Sequence, residues 1–178
     1  MPIPEFVARL RRHIGHDPLW LVGATAVVLR GQDEEHRRVL LVRRSDTGEW
    51  APVTGIVDPG EHPASTAERE TEEEARVAAR VERLVLLSVS PEITHANGDL
   101  AQYCDLTFRC RWLAGEGAVG DEESSEVAWW PADALPPMRE DHARRVRAAL
   151  EDRPECRLIV NGAELPVRPP AGRARPAP

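Results

Sequence analysis

The segment from Asp58 to Glu74 constrains this chain more than any other part of it. It holds seven carboxylates and one arginine within seventeen residues, a net charge of −6, while the whole chain carries −7. If the segment is helical, Glu70, Glu73 and Glu74 fall at i, i+3 and i+4, so their carboxylates share one face within a turn. Like charges placed in this way oppose folding by roughly 0.2 to 0.5 kcal/mol per pair. The fold therefore has to bring positive charge to this face.

A loop rich in glycine and proline leads into the acidic segment. Thr54-Gly55 and Pro59-Gly60 flank Asp58, and glycine lets a backbone turn sharply and approach a ligand closely. Hard divalent cations such as Mg²⁺ take clustered oxygen ligands and usually bind together with substrate phosphates. A run of glutamates is otherwise typical of a solvated helix face. The loop and the shared face together favour a metal site over that ordinary alternative.

Composition narrows the class of protein. The chain has 178 residues, 42% of them hydrophobic, which is enough for one domain with one buried core. Its acidic balance argues against a polynucleotide partner, because recognition of a phosphate backbone needs a basic surface. The apolar stretch from Leu19 to Leu29 contains Gly23 and Thr25 and is about half the roughly 20 residues that a membrane span requires. We therefore expect a buried strand there and no membrane partner.

The three cysteines indicate the compartment. Cys104 and Cys110 fall on the same face of one predicted strand, too far apart along it to pair, which leaves Cys156 as the third. No disulfide framework is implied, and a reducing cytoplasm is the simplest location.

Apolar periodicity predicts an α/β fold. Helical spacing covers residues 4–14, 64–76 and 139–150, and strand patterns cover 21–29, 39–42, 81–88, 102–112 and 127–130. The first two strands form a predicted hairpin and are apolar at odd and even positions, which indicates that both sheet faces are covered. Residues 45–62 have the composition of a functional loop, and residues 102–112 alternate as a half-buried strand does.

The expected domain organisation follows from these elements. Residues 1–18 form an N-terminal helical extension, residues 19–152 the main domain, and residues 153–178 a C-terminal extension. The last part, from about residue 166, is rich in proline and arginine and has almost nothing to bury, so it is predicted to be disordered.

The acidic segment resembles the signature of the Nudix hydrolases. That signature reads Gly, five residues, Glu, seven residues, then Arg-Glu-U-x-Glu-Glu-x-Gly-U, where U is a bulky aliphatic residue. The positions that match at the required spacing are Gly55, Glu61, Arg69, Glu70, Glu73, Glu74 and Val77. Thr71 stands in place of an aliphatic residue and Arg76 in place of the glycine. We expect Thr71 to loosen the helix packing slightly and Arg76 to disturb the turn that follows.

The resemblance extends from about Leu19 to Pro136. It includes the strand that ends in Arg43 and Arg44, Trp50 before the loop, and the late acidic segment 121–126. It implies a Nudix-type α/β/α sandwich around a mixed β-sheet, in agreement with the doubly covered strands predicted above.

What the resemblance implies about function is metal-assisted attack of water on a phosphorus atom of a diphosphate bridge. The implied substrate is a small nucleotide: a nucleoside diphosphate linked to another group, as in a nucleotide sugar, an ADP-ribose-like compound or a nucleoside triphosphate. The implied cofactor is Mg²⁺, with Mn²⁺ as a substitute, and the implied ligands are Glu61, Glu70, Glu73 and Glu74. Nudix proteins are often homodimers, which makes a homodimer a further expectation.

Roles for the remaining residues are also carried over by position. Arg69 is expected to pair with the carboxylates and orient them. The general base comes in this family either from the helix that carries the signature or from a distant loop. Glu73 and Glu123 are therefore candidate catalytic residues. Arg43 and Arg44 end a strand beside the active loop and are candidates for binding substrate phosphates, as is the backbone at Gly55.

Two other functions compete with hydrolysis. An isoprenoid diphosphate isomerase shares the fold but needs a catalytic cysteine near the loop, and no cysteine lies between residues 20 and 100. A non-catalytic, nucleotide-binding regulatory module is the second alternative. Such modules typically lose glutamates of the signature, whereas this chain keeps all of them. Only the two departures from the signature, Thr71 and Arg76, favour the interpretation as a regulatory module.

Overall fold

The computed structural model of the protein describes residues 3–31, 33, 35–151 and 153–166. The helices are α1 (Glu5–Ile14), α2 (Pro63–Ala75) and α3 (Glu140–Leu150). The strands are β1 (Leu19–Arg30), β2 (Arg38–Arg44), β3 (Trp50–Ala51), β4 (Val53–Ile56), β5 (Ala78–Val89), β6 (Ile93–Thr94), β7 (Leu100–Ala114), β8 (Ser124–Pro131), β9 (Arg157–Val160) and β10 (Ala163–Glu164). Disorder is predicted from about residue 166, and residues 167–178 lie outside the described part of the chain. None of the helices described is long and apolar enough to cross a bilayer.

The strands of the described residues form one mixed sheet of ten strands, in which β1 pairs with β7, β4 and β2. On one side β1 runs parallel to β7 from Leu19 to Leu29. Its other side is shared, because residues 23–26 pair with β4 while Leu29 and Arg30 pair with β2. The path through the sheet is β10-β9-β5-β7-β1-β2-β3, with β4 on β1, β6 on β7 and β8 on β2. The strand that leads into α2 thus lies against the middle of the sheet.

The predicted hairpin is confirmed, since β1 and β2 pair antiparallel at Leu29 with Val39 and at Arg30 with Arg38. The interpretation of residues 45–62 as loop alone is wrong in part, because this segment contains β3 and β4. These strands have two and four residues, too few to show a periodicity. Pairing with β2 and β1 decides their conformation rather than local propensity.

Helices cover both faces of the sheet. On one face Ala67 and Ala75 of α2 pack in a core with Ala24, Ala26, Val28, Leu40, Val42 and Phe108. On the other face Val146 and Ala149 of α3 pack in a core with Val27, Leu29, Val39, Leu41 and Leu86. Successive residues of β1 and β2 enter opposite cores, which explains why both runs are apolar at every position. The expected α/β/α sandwich around a mixed sheet is confirmed.

The long strand β7 differs from the half-buried strand predicted for residues 102–112. On its polar face Asp105 and Thr107 are both buried. The hydroxyls of Thr25 and Thr107 donate to the Asp105 carboxylate at 2.9 and 3.0 Å, and Arg145 of α3 lies 3.3 Å from it. These partners satisfy the hydrogen-bonding groups of the polar residues beneath α3. The alternating sequence of β7 does not reveal that a helix covers its polar face.

The predicted N-terminal helix is confirmed as α1, which is fixed to the edge of the sheet. Val7 is buried against Leu21 and Ala101. Near the other end of the helix, the Arg11 guanidinium donates to the carbonyl of Leu100 at 2.7 Å. Because an apolar contact and a charged hydrogen bond hold α1 at two points, its position relative to β1 and β7 is defined.

The buried pair of Asp105 and Arg145 generates a stability prediction. Removing one partner of a buried ion pair leaves an uncompensated charge, at a cost of roughly 3 to 5 kcal/mol. We expect R145M to lower the free energy of unfolding by about 3 kcal/mol in urea titrations. Arg144 on the same helix is only partly buried and donates to the carbonyl of Gly162 in a solvent-exposed hydrogen bond, so R144M should cost less than about 1 kcal/mol. Equal losses in the two variants would contradict this account of Arg145.

Candidate active site

Helix α2 presents the acidic residues. Pro63 stands at its first turn, where the fixed φ of proline suits a helix and its missing N–H has no intrahelical partner to lose. The His62 ring accepts the backbone N–H of Ala64 at 3.1 Å and caps the helix. Glu70 and Glu74 face inward and are only 8% and 4% exposed. The helix therefore buries two carboxylates on its sheet side.

Neither departure from the Nudix signature disturbs the helix in the expected way. Thr71 is fully buried, and its hydroxyl donates to the carbonyl of Ala67 at 2.7 Å, so the buried group is satisfied. Arg76 adopts φ 53° and ψ 38°, the left-handed conformation that glycine usually supplies at a helix end. The Arg76 guanidinium donates to the carbonyl of Gly120 at 2.7 Å. The turn after α2 is therefore kept without its glycine.

Arg69 joins three carboxylates. It donates to both oxygens of Glu61 at 3.0 and 3.1 Å, and its Nη1 lies 2.9 Å from Glu70 and 2.8 Å from Glu73. Glu61 also accepts the hydroxyl of Thr66 at 2.7 Å. The hydrogen bonds from Arg69 hold the pKa of Glu61 below its usual range. Arg69 thus brings positive charge to three carboxylates of the acidic segment.

Gly55 makes room for Glu70. A Cβ atom built on Gly55 would lie 2.2 Å from the carboxyl carbon and one oxygen of Glu70, so the Glu70 side chain would have to shift to admit one. Pairing with β1, where Gly55 lies beside Ala24, fixes the glycine in the sheet. Glycine at this position therefore lets β4 lie directly against the Glu70 carboxyl.

Burial and like charge raise the affinity of the inner glutamates for protons. Burial raises the pKa of Glu70 to about 7, against the opposing charge of Arg69. Burial also raises the pKa of Glu74 to about 9, and the negative charges of Glu123, Glu70 and Asp121 add to the effect. Within the described part of the chain, the Glu74 side chain makes no hydrogen bond or ion pair. At neutral pH a nearby cation would therefore stabilise the ionised forms of Glu70 and Glu74.

A loop after β7 packs on the C-terminal end of α2. The backbone N–H groups of Ala118 and Gly120 donate to the carbonyls of Ala75 and Glu74, both at 2.9 Å. These belong to the carbonyls that a helix end leaves without intrahelical partners. Sequence reasoning missed this contact, whose local signals are Gly115 and Gly120, because a Cβ atom at either position would overlap the end of α2 or the turn after it. The contact brings the acidic residues that follow the loop close to those of α2.

A cavity of about 520 Å³ opens beside α2. Its acidic part is lined by Asp58, Arg69, Glu70, Glu73, Asp121 and Glu123. The structure therefore brings together the predicted site residues of the helix and the distant loop, whereas Glu61 and Glu74 lie outside the lining. Burial raises the pKa of Glu123 above its usual range. Sequence reasoning assigned no role to Asp58 or Asp121.

Another part of the cavity lining comes from α1. Pro4, Glu5, Phe6 and Arg9 reach the cavity, together with Ile56 of β4. The sequence predicts α1 but not this position, because the periodicity of a short amphipathic helix does not tell which surface it covers. The anchoring of α1 on β1 and β7 decides it.

The two arginines predicted to bind phosphate are in different environments. Adjacent strand residues point to opposite faces, and Arg43 donates to the carbonyl of Gly48 at 3.0 Å. Arg44 makes two contacts of 2.9 and 2.6 Å with Asp46. Its positive charge also opposes the burial that raises the pKa of Glu74. Arg44 is therefore within electrostatic reach of the acids, although neither arginine lines the cavity.

Comparison with known families gives the same assignment as this geometry. The model of the NUDIX domain matches residues 20–150. The chain belongs to the Nudix hydrolase family. Members of this family are pyrophosphohydrolases and generally use divalent metals.

Individual relatives agree with the family. A MutT-like protein of Streptomyces ambofaciens is 32% identical over 135 residues, which cover 75% of this chain and 79% of the relative. The human 8-oxo-dGDP phosphatase NUDT18 is 28% identical over 169 residues, and the match spans 92% of this chain but only 47% of the human protein. The crystal structure of a MutT Nudix hydrolase from Burkholderia pseudomallei is 25% identical with a TM-score of 0.52, covering 73% of this chain and 98% of that one.

The side chains of this Nudix hydrolase fit a divalent cation by their chemistry. Carboxylate oxygens are the ligands that hard divalent ions take, and Glu70 and Glu74 are buried with raised pKa values. No group of three or more His, Cys, Asp or Glu side chains among the described residues already surrounds a common point. Arg69 instead holds Glu61, Glu70 and Glu73. A cation would therefore share these acids with Arg69.

The close approach of Gly55 to Glu70 generates a testable prediction. In G55A the new methyl group overlaps the Glu70 carboxyl, and overpacking of this kind costs roughly 1 to 3 kcal/mol. We expect urea unfolding to show a loss of about 2 kcal/mol. The double variant G55A/E70A removes the overlapping carboxyl and should recover most of that stability relative to E70A alone. If G55A is as stable as the wild type, the Glu70 carboxyl is not fixed against β4 and moves aside without cost.

The raised pKa values of Glu70 and Glu74 make metal-free stability depend on pH. A carboxylate whose folded pKa is raised stabilises the fold fully below its ordinary value, and this contribution is lost as pH rises through the folded pKa. In EDTA we expect the melting temperature to fall between about pH 5 and about pH 9, and E74Q to weaken that fall above about pH 7. E72Q changes an exposed residue of the same helix and should melt like the wild type. An identical pH profile for E74Q and wild type would contradict the burial of Glu74.

Proposed function

We propose that this Nudix hydrolase catalyses the Mg²⁺-dependent hydrolysis of the pyrophosphate bond in a nucleoside diphosphate linked to another group. The observation that carries the proposal is the pair of buried carboxylates, Glu70 and Glu74, on the face of α2 beside an acidic cavity of about 520 Å³. Buried carboxylates without full compensation are costly, and they persist at sites that bind cations. The cavity volume falls in the range of small-molecule sites, roughly 300 to 1,000 Å³.

Glu70, Glu73 and Glu74 are the residues that we assign to holding Mg²⁺, with Glu61 as a further ligand. When bound, Mg²⁺ or a substituting Mn²⁺ would neutralise charge on the phosphate oxygens and make an attacking water more acidic. The support is the donor chemistry of four carboxylates and the raised pKa values of the two buried ones. Arg69 is a positioning residue in this scheme, because it orients Glu61, Glu70 and Glu73 through its hydrogen bonds.

Glu123 is our candidate for the general base, which would accept the proton of the attacking water at its carboxylate. It lines the same cavity as Glu70 and Glu73, and burial raises its pKa toward the range in which a base works at neutral pH. Glu73 is the second candidate. Its carboxylate accepts a hydrogen bond from Arg69 at 2.8 Å.

For substrate phosphates, Arg43, Arg44 and the Gly55 backbone remain proposed contacts. Arg44 is favoured over Arg43 because its charge acts on Glu74; a phosphate would share it with Asp46. The human relative is named for 8-oxo-dGDP, a nucleoside diphosphate, which motivates including oxidised nucleotides among the substrates to be tested.

A substrate screen tests the proposed activity. Purified protein is incubated with ADP-ribose, nucleotide sugars, diadenosine polyphosphates, nucleoside triphosphates and 8-oxo-dGDP, and the products are measured by chromatography. We expect Mg²⁺-dependent cleavage that EDTA abolishes and that added Mg²⁺ or Mn²⁺ restores. If none of the compounds is cleaved but one of them binds, the chain acts as a nucleotide-binding module and the enzymatic proposal fails.

Substitutions in α2 test the assigned residues. E70Q and E74Q should each lower kcat/KM at least about 100-fold, equivalent to roughly 2.7 kcal/mol of transition-state stabilisation. E72Q makes the same chemical change at an exposed position of the same helix and should stay within about 2-fold of wild type. Isothermal titration with Mg²⁺ should show weaker binding for E70Q and E74Q only. Full activity of E74Q would remove Glu74 from the metal site.

A further inference from the structure

We propose that α1 selects the substrate, with Arg9 binding a substrate phosphate and Phe6 packing against the nucleoside base. This inference rests on the proposed function. It starts from an asymmetry in the cavity, whose described lining residues include five acids of the loops and α2 but two cations, Arg69 and Arg9. Arg69 is already engaged by three carboxylates.

Among the described residues that line the cavity, Arg9 is the cation that remains for a ligand. It is exposed at the cavity and forms no hydrogen bond or ion pair with the other residues that the structure describes. Glu5, one helical turn before it, lines the cavity too but lies outside ion-pair distance. A guanidinium presents a planar set of donors that matches phosphate oxygens, and its charge is not lost at any working pH. Arg9 therefore suits the phosphate charge that Mg²⁺ leaves uncompensated.

Phe6 gives the cavity an apolar aromatic surface, which its acidic residues do not provide. It is the single aromatic side chain among the described residues that line the cavity. Phe6 and Ile56 are both partly buried in the cluster around Val7 and Leu21, so their free surfaces form an apolar patch fixed from behind. Aromatic rings favour contact with other flat π-systems such as nucleobases. The patch is therefore suited to a base rather than to a sugar or a phosphate.

Two contacts hold α1 in position beside the cavity. Val7 is buried against Leu21 and Ala101, and Arg11 holds the C-terminal end of α1 at the carbonyl of Leu100. Phe6 and Arg9 are three residues apart and so lie on the same side of the helix. Because α1 is anchored by other residues, changes at Arg9 leave the helix in position.

The test compares matched charge changes on one helix. With the best substrate of the screen, R9A should raise KM at least about 10-fold while kcat stays within about 2-fold. R12A removes an exposed arginine of α1 outside the cavity lining and should leave both parameters unchanged. R9K should recover part of the affinity, because it restores the charge without the planar donors. Melting temperatures of R9A and R12A should be equal.

Phe6 is tested separately from Arg9. F6L keeps an apolar side chain for packing but loses the flat ring, and it should raise KM and change the ratio of KM between purine and pyrimidine substrates. L10A shortens an apolar side chain of the same helix that is 40% exposed and should not change that ratio. If the wild type cleaves nothing in the screen, the proposed function is wrong. If the wild type is active while R9A matches R12A and F6L matches L10A, the substrate-selecting role of α1 is wrong.

Discussion

The burial of Glu70 and Glu74 on one side of α2 is the constraint on which the rest of the structure depends. Two carboxylates placed against a sheet need either protons or cations, and the surroundings supply only part of this need. Arg69 compensates Glu70 from the solvent side, and Gly55 lets β4 pass within contact of the same carboxyl. The helix, the loop before it and the neighbouring strand are therefore coupled through one side chain.

The two faces of the sheet treat buried acids differently. Under α3, Asp105 receives two hydroxyl hydrogen bonds and the charge of Arg145, so its negative charge is compensated within the protein. Under α2, the Glu74 side chain has no such partner among the described residues, and further acids surround it. The first arrangement serves stability. The second costs stability in the absence of a cation, and such a cost is expected where a fold keeps a site for a ligand.

The sheet order determines what surrounds α2. Because β4 pairs with β1 next to the parallel β1–β7 pair, the chain that enters α2 and the chain that leaves β7 both come close to the helix. The loop after β7 donates to the last carbonyls of α2 and carries Asp121 and Glu123 to the cavity. Helix α1 is held against the same strands and completes the lining. The site thus combines segments that are far apart in sequence.

The sequence alone determined the α/β class, the three helices, the shared acidic face of α2 and the family, because all of these depend on local spacing and on residue type. Glutamates at i, i+3 and i+4 share a face whatever the helix packs against. Only the tertiary structure decided that Glu74 is buried while Glu73 is exposed, and that short β4 is a strand. It also decided that Phe6 and Arg9 reach the cavity, because burial, strand pairing and the placement of a helix depend on distant partners that no local pattern encodes.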